Sequence, residues 1–99
     1  MMNKEDIVRD VAKDVGIPVG IVREVLDNTA ERIIGCVSHG EKVQLTGFGT
    51  FTAQKRAPRI GRNPHTNEQI NIPERTVPVF KPSAVFKSEV SESMGKRRP

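Results

Sequence analysis

At 99 residues the chain fits one ordinary domain, and its 35% hydrophobic content, with four Phe and no Trp or Tyr, supports only a thin core. The single Cys36 excludes an intrachain disulfide and a multi-cysteine metal site. No stretch resembles a signal peptide or approaches the ~20 apolar residues that cross a bilayer. We therefore expect a soluble, intracellular protein that has no metal or cofactor and is helped by a partner subunit.

The net charge of +4 is unevenly distributed along the chain. Residues 1–41 carry five Lys/Arg against eight Asp/Glu, residues 42–81 carry seven against two, and residues 82–99 carry four against two. Positive charge therefore concentrates in the middle of the chain and at its end. This asymmetry predicts a surface that binds a polyanion, supported by a neutral or acidic base.

Two helices are predicted over residues 1–40. Asn3 is a candidate N-cap, the apolar positions that follow recur at helical spacing, and Gly16 is expected to end the first helix. Pro18 can open a second helix that runs to about Ser38 and is roughly 30 Å long at ~1.5 Å per residue. These helices are expected to form the base of the domain.

The sequence period then changes to that of β-strands. Val43 and Leu45 alternate with polar residues, and Gly47 and Gly49 around Phe48 predict a tight turn. A second strand is expected from about Thr50 towards residue 59, and "QINIPERTVPVF" returns antiparallel to it, giving a three-stranded meander over 41–81. A helix over 82–94 and a basic tail over 95–99 complete an α+β domain.

Residues 54–75 form an unusual hairpin within this sheet region. They contain only three large apolar side chains, all Ile, so the hairpin is expected to project into solvent as an arm. Its tip carries "GRNP", no acidic residue occurs from 42 to 67, and Lys55, Arg56, Arg59 and Arg62 are expected along one side of the arm. Such a basic ribbon is suited to binding a polyanion. Pro64 adds a rigid residue without an N–H at the tip.

The motifs "VQLTGFGTF", "GRNP" followed by "INIP", and "VPVFKP" resemble the bacterial histone-like HU proteins and integration host factor, over residues 3 to about 90. The resemblance implies an intertwined homodimer with a helical base, three-stranded antiparallel sheets that form a saddle, and two long β-hairpin arms. It further implies a protein that binds duplex DNA and bends it with apolar wedges, with a thin ribbon of Arg side chains in the narrow, negative minor groove and the rigid Pro64 inserted between base pairs.

Residue by residue, the resemblance and the charge pattern together assign a DNA-binding set. The arm and sheet contribute Lys55, Arg56, Arg59, Arg62, Asn63, Pro64, Arg75 and Lys81. The saddle contributes Lys4, Thr46, Gly47, Ser83 and Lys87, and Ser83 at a helix start also suits an anion. Phe48, Phe51 and Phe80 match the aromatic cluster of the dimer core.

Several positions depart from the family pattern. Asn67 stands where glycine is usual at the arm's turn, although Asn tolerates a left-handed conformation. Glu68, Asn71 and Ala84 replace common lysines, which is expected to weaken phosphate contacts. Thr46 stands where the sequence-specific relative has, in one subunit, a base-selecting arginine, which favours HU-like behaviour with low sequence specificity.

Other functions fit the sequence less well. A helix-turn-helix that uses residues 18–38 is disfavoured because the exposed face of that helix carries three acidic and two basic side chains. An RNA-binding or scaffolding dimer is a weaker alternative, since the Phe residues are assigned to the core. An enzyme is not expected, because no convergent carboxylates or Ser/His/Asp grouping are present.

The sequence therefore predicts a homodimeric architectural protein that bends and compacts duplex DNA in the cytoplasm, associated with the nucleoid. It needs no small-molecule substrate and no membrane. A sequence-preferring relative of integration host factor, a viral DNA-bending factor and a heterodimer with a paralogue all remain open alternatives.

Overall fold

The computed structural model of this chain describes residues 1–97, which form three helices and five strands. The α+β class expected from the sequence is confirmed. In chain order the elements are α1 (Lys4–Val15), α2 (Val19–Ser38), β1 (Val43–Leu45), β2 (Gly49–Arg56), β3 (Arg59–Arg62), β4 (Gln69–Ile72), β5 (Arg75–Pro82) and α3 (Ala84–Arg97). Contacts divide the chain into two compact units, Met1–Gly35 and Cys36–Pro99.

Helix α1 begins and ends where the sequence predicts. The Asn3 side chain accepts a hydrogen bond from the Asp6 N–H, and the Asp6 side chain accepts one from the Asn3 N–H, which completes a capping box. Gly16 ends the helix with a φ of 80°, a left-handed conformation that a side chain would disfavour. Both ends are therefore decided by local chemistry.

The core of the first unit is small, as the composition requires. Val8, Ala12 and Val22 are buried, and Leu26 packs against them. Further apolar side chains of α1 and α2 stay 40–65% exposed in the single chain, among them Ile7, Val11, Val15, Ile21, Val25 and Ile34. One chain alone therefore leaves much of its apolar helix surface in contact with water.

The second unit contains an antiparallel sheet of three strands in the order β1-β2-β5. Phe51 pairs with Phe80 across β2 and β5, and the next pair along the ladder is Thr52 with Val79. Since successive side chains point to opposite faces, the sheet has one aromatic face and one mainly polar face, called the polar face, which also carries Val77 and Val79. Thr52, only 8% exposed, lies on the polar face.

Gly49 is required by the close packing of the aromatic face. A Cβ atom at this position would lie 2.5 Å from the Phe80 ring and 2.7 Å from the Lys81 carbonyl oxygen. The Phe80 ring in turn packs 4.9 Å from Phe51 and 5.1 Å from Phe48, measured between ring centroids. Glycine therefore permits the aromatic side chains to gather over the start of β2.

The second strand, expected from about Thr50 towards residue 59, ends at Arg56 in the structure. The outgoing strand breaks at Ala57 and Pro58, and the returning strand breaks at Pro73 and Glu74, so that β3 and β4 form a separate two-stranded sheet. Each break contains a proline, which has no N–H to donate to a ladder. The outer hairpin, residues 59–72, is thus separated from the three-stranded sheet on both strands.

The last helix is longer than the sequence predicted. Helix α3 continues through Arg97, so residues 95–97 are helical where a basic tail was expected. Arg98 and Pro99, the rest of that predicted tail, lie outside the described residues.

Candidate nucleic-acid interface

The polar face of the three-stranded sheet lines an open hollow beside the turn between β1 and β2. Four of the predicted DNA-binding positions meet here: Thr46, Gly47, Lys81 and Ser83. The remaining lining residues are Lys42, Gln44, Leu45, Gly49, Thr50, Thr52 and Pro82. The hollow thus combines two lysines with hydroxyl and amide groups, which is a chemistry suited to phosphate and sugar oxygens.

Backbone geometry places the turn and the helix start next to each other. Gly47 has a φ of 85°, and the Phe48 N–H donates to the Leu45 carbonyl, which closes the turn. The Ser83 N–H donates to the Phe48 carbonyl at 2.9 Å, and the Ser83 Oγ accepts from the Phe86 N–H at 3.1 Å. Ser83 is therefore the N-cap of α3, at the helix end that favours an anion.

Two arginines face each other at the outer end of this sheet. Arg56 and Arg75 are directly opposed in the pairing of β2 with β5, so their side chains project from the same face. Neither guanidinium makes an ion pair among the described residues. Like charges that are directly opposed destabilise a sheet, whereas an anion bound between them would reduce the repulsion. Their face is the one that carries Thr50, Thr52 and Lys81.

Lys55 lies on the other face of the same strand. Its register partner is Thr76, and its Nζ lies 3.7 Å from Glu74 Oε1. Both side chains are largely exposed, so the ion pair is weak. The structure therefore separates Lys55 from Arg56 and Arg75, so the expectation that Lys55 and Arg56 lie along one side of the arm is wrong.

The outer hairpin is exposed and carries the remaining cations of the arm. Arg59 and Arg62, at the two ends of β3, are exposed, and Ile60 between them is 66% exposed. Ile72 packs across Gly61, where a Cβ atom would lie 3.0 Å from the Ile72 Cδ1. The hairpin thus has little apolar packing of its own, as its composition predicted.

The hairpin tip is an ordered turn that exposes Pro64. Residues 63–68 connect β3 to β4, and the Asn63 N–H donates to the Glu68 carbonyl at 2.9 Å. Asn67 has a φ of 59°, which confirms that asparagine accepts the left-handed conformation here. Arg62 Nη1 donates to the Asn67 carbonyl oxygen at 3.2 Å.

Two further predicted contacts lie on helices. Lys4 begins α1, and its Nζ is engaged by Asp27 Oδ1 at 2.9 Å in the first unit, so a phosphate would have to compete with this carboxylate. Lys87 is exposed in the first turns of α3, and its backbone N–H donates to the Ser83 carbonyl.

The first part of α2 is unsuited to a DNA groove. Arg23 is held by Glu5 in a two-point contact, Nε to Oε1 and Nη2 to Oε2, both at 2.8 Å. The hydrogen bond from Arg23 lowers the pKa of Glu5, and the same bond raises the pKa of Arg23. A shallow groove on this surface is lined by Gly20, Arg23, Glu24, Asp27, Asn28 and Glu31. Its charge is mainly acidic, which supports rejecting a helix-turn-helix mode.

The predicted aromatic cluster is present and includes a fourth ring. Phe48, Phe51 and Phe80 lie with centroids 4.9–6.3 Å apart, and Phe86 lies 5.6 Å from Phe48. Phe48 is 44% exposed and Phe80 is 37% exposed in the single chain. The assignment of this cluster to a dimer core stays a prediction.

Four residues that the sequence did not single out line the same hollow as the predicted residues: Lys42, Gln44, Thr50 and Thr52. A signal was present, since Gln44 alternates with Val43 and Leu45 in β1, and Lys42, just before the strand, continues the same alternation. What was missing was knowledge of which face of β1 continues the face that carries Lys81.

Other kinds of site find no support in the described part of the chain. No group of three or more His, Cys, Asp or Glu side chains there is placed to hold a metal ion. Likewise, within residues 1–97 no helix is long and apolar enough to cross a membrane.

Comparison with known proteins identifies the family. The family model described as "Bacterial DNA-binding protein" matches residues 2–91. A DNA-binding protein HU from Thermotoga maritima is 44% identical, covering 90% of this chain and 99% of its own. One from Clostridium pasteurianum is 43% identical, covering 92% of this chain and 100% of its own.

A solved structure agrees with the sequence comparisons. The cocrystal structure of Anabaena HU with DNA has a TM-score of 0.87 to this chain at 41% identity, covering 91% of this chain and 98% of that one. Both the sequence and the fold match over nearly the whole length. The chain therefore belongs to the HU-like family of bacterial DNA-binding proteins.

Proposed function

We propose that this protein is an architectural protein that binds and bends duplex DNA with low sequence specificity. The observation that carries the proposal is the sorting of charge within the second unit. Arg56, Arg75 and Lys81 share the polar face of the sheet, and the exposed hairpin beyond it carries Arg59 and Arg62 beside Pro64. Membership of a DNA-binding family and the likeness to an HU–DNA cocrystal structure support it.

Most contacts are expected to be with phosphates. The polar face carries Lys, Arg, Thr and Gln side chains beside Val77 and Val79, and Ser83 adds a helix N-terminus. Such contacts position DNA without reading its sequence, and they release counterions, so affinity falls steeply with salt. Thr46 offers only a short hydroxyl side chain beside the hollow, consistent with weak base selection.

The arm is proposed to act in the minor groove. A two-stranded ribbon with Arg59 and Arg62 suits this narrow, negative groove, and Pro64 at the exposed tip serves as the wedge. Unstacking one base step costs a few kcal/mol, which is offset because the bent duplex meets more protein surface.

The functional form is proposed to be a homodimer. In a single chain the Phe48 and Phe80 rings stay 44% and 37% exposed, and much of the apolar surface of α1 and α2 is uncovered. A second copy of the same chain can bury surfaces of this kind, and two arms could then embrace one duplex. A related chain in place of the second copy would appear as a heterodimer in the cell of origin.

The place of action follows from the ligand. A DNA-bending protein of this family is expected to work on the nucleoid, and we propose no catalytic activity and no small-molecule substrate. The family is one of DNA-binding proteins and not of enzymes.

The deciding experiment measures end-to-end energy transfer on a short duplex labelled at both ends, titrated with wild type and with Pro64→Ala. Wild type should bring the ends together, and Pro64→Ala should bind without doing so. His65→Ala is the matched control, because it alters an exposed neighbour at the tip and keeps both Pro64 and the backbone N–H of residue 65. Binding by wild type without any change in end distance would contradict the proposal.

RNA binding is the second candidate, favoured by the partly exposed Phe48 and Phe80 rings, which could stack single-stranded bases. Affinity for single-stranded RNA above that for duplex DNA at equal salt would favour this candidate over the first.

A further inference from the structure

The turn at the hairpin tip is closed by its own hydrogen bonds. Besides the bond from the Asn63 N–H to the Glu68 carbonyl, the Asn67 N–H donates to the Asn63 carbonyl at 2.7 Å. The Asn63 backbone thus holds the returning strand through both its donor and its acceptor. Residues 63–68 therefore form a defined turn that hydrogen bonds within the protein hold in place.

The side chain of Asn63 adds a bond that encloses the proline. Asn63 Oδ1 accepts a hydrogen bond from the backbone N–H of His65 at 2.9 Å, so the two residues that flank Pro64 are joined directly. Asn63 is half-buried, whereas Pro64 and His65 are exposed. The proline ring restricts its own φ, and this bond restricts the chain on either side of it.

The amide oxygen of Asn63 is therefore engaged within the protein. A side chain whose main role is to contact DNA would be expected to be exposed, as Arg59 is. Asn63 instead directs its acceptor back to the turn that presents Pro64.

We propose that Asn63 is a positioning residue that fixes the direction of Pro64 and thereby sets the bend angle, acting through the proline and not as an independent DNA contact. This inference rests on the proposed function. A turn that is ordered before binding loses less conformational entropy when Pro64 inserts, so more of the insertion energy remains available for bending.

A double-mutant cycle tests the coupling. Bend angle and affinity are measured by energy transfer for wild type, Asn63→Ala, Pro64→Ala and the double variant. If Asn63 acts through Pro64, Asn63→Ala reduces bending in the wild-type background and changes nothing further when Pro64 is absent. Additive losses in affinity would show an independent DNA contact and would overturn the inference.

Hydrogen exchange of the His65 amide provides a readout in the free protein. Removing the Asn63 acceptor should speed this exchange about fivefold, as expected for one net hydrogen bond. Pro64→Ala keeps that acceptor and should change the exchange less. Unchanged exchange in Asn63→Ala would show that the bond does not order the turn, and would also overturn the inference.

Asn67 supplies a matched pair of controls that leave Asn63 and Pro64 intact. Asn67→Gly accepts the φ of 59° and should keep the wild-type bend angle, whereas Asn67→Ala strains the turn and should reduce the bend. Equal bending by the two variants would show that turn geometry does not control the wedge. A wild type that binds without bending would refute the proposed function itself, a result distinct from every outcome that separates these variants.

Discussion

The opposed pair Arg56 and Arg75 predicts a trade between stability and binding. The two guanidinium groups project from the same face of neighbouring strands, and neither has an acidic partner among the described residues. Replacing Arg56 with Gln removes the repulsion in the free protein and also removes one candidate phosphate contact. The variant is therefore expected to melt at a higher temperature and to bind DNA with a weaker dependence on salt.

Both effects can be given a size. A directly opposed charge pair contributes about 0.2–1 kcal/mol in a sheet. A relief of about 0.5 kcal/mol in a domain of this size corresponds to a Tm rise of about 2–4 °C at low salt. Each phosphate contact makes the slope of log K against log salt steeper by about 0.9. Losing one contact from each chain of a homodimer therefore makes the slope shallower by about 1.8. Between 50 and 200 mM salt, wild type should therefore lose about 12-fold more affinity than the variant.

The assays are thermal melting and DNA titration, each at several salt concentrations. The Tm gain of Arg56→Gln should shrink as salt screens the repulsion. Lys55→Gln is the matched control, since Lys55 is the adjacent residue on the opposite face and pairs with Glu74. It should not raise the Tm, and it should change the salt slope less than Arg56→Gln does. A lower Tm for Arg56→Gln at low salt, or an unchanged slope, would refute the reasoning.

Two further predictions concern stability and its dependence on pH. Gly49→Ala should destabilise the fold by about 1–3 kcal/mol because its Cβ meets the Phe80 ring. Gly61→Ala is the control, and it should change the Tm little because its Cβ meets only the end of a flexible side chain. Thermal melting of both variants checks this prediction. The contact with Arg23 lowers the pKa of Glu5 below its ordinary 4.5, so its stabilisation is present above pH 4.5 and is lost as the pH falls through the lowered pKa. Arg23→Gln should flatten the Tm profile in that acid range and return the Glu5 titration, followed by NMR, to its ordinary position.

Much of the fold could be predicted because its signals are local. Asn3 and Gly16 act on their own helix ends, and Gly47 acts on its own turn, so each could be identified without knowledge of the rest of the chain. The strand breaks could be predicted only in part. Pro58 and Pro73 each indicate an edge or a bulge, and only their opposition across the hairpin separates the outer sheet.

The candidate site shows the same division. The exposed, basic character of the arm could be predicted from its composition and from the resemblance. The left-handed conformation of Asn67 could be predicted in the same way. The pairing of Lys4 with Asp27 joins residues 23 positions apart and leaves no periodic signal in the sequence. The sequence also grouped Lys55 with Arg56, although neighbouring residues in a strand project from opposite faces.

By itself, the sequence determined the α+β class, both ends of α1, the basic middle region and the proline-tipped hairpin, because these depend on residue chemistry and on spacing along the chain. Only the tertiary structure decided which cations share a face, which are already paired, and that the Asn63 side chain joins the two sides of Pro64. Those features depend on strand register and on side-chain reach. Both are properties of residues brought together by folding and not of any single stretch of the chain.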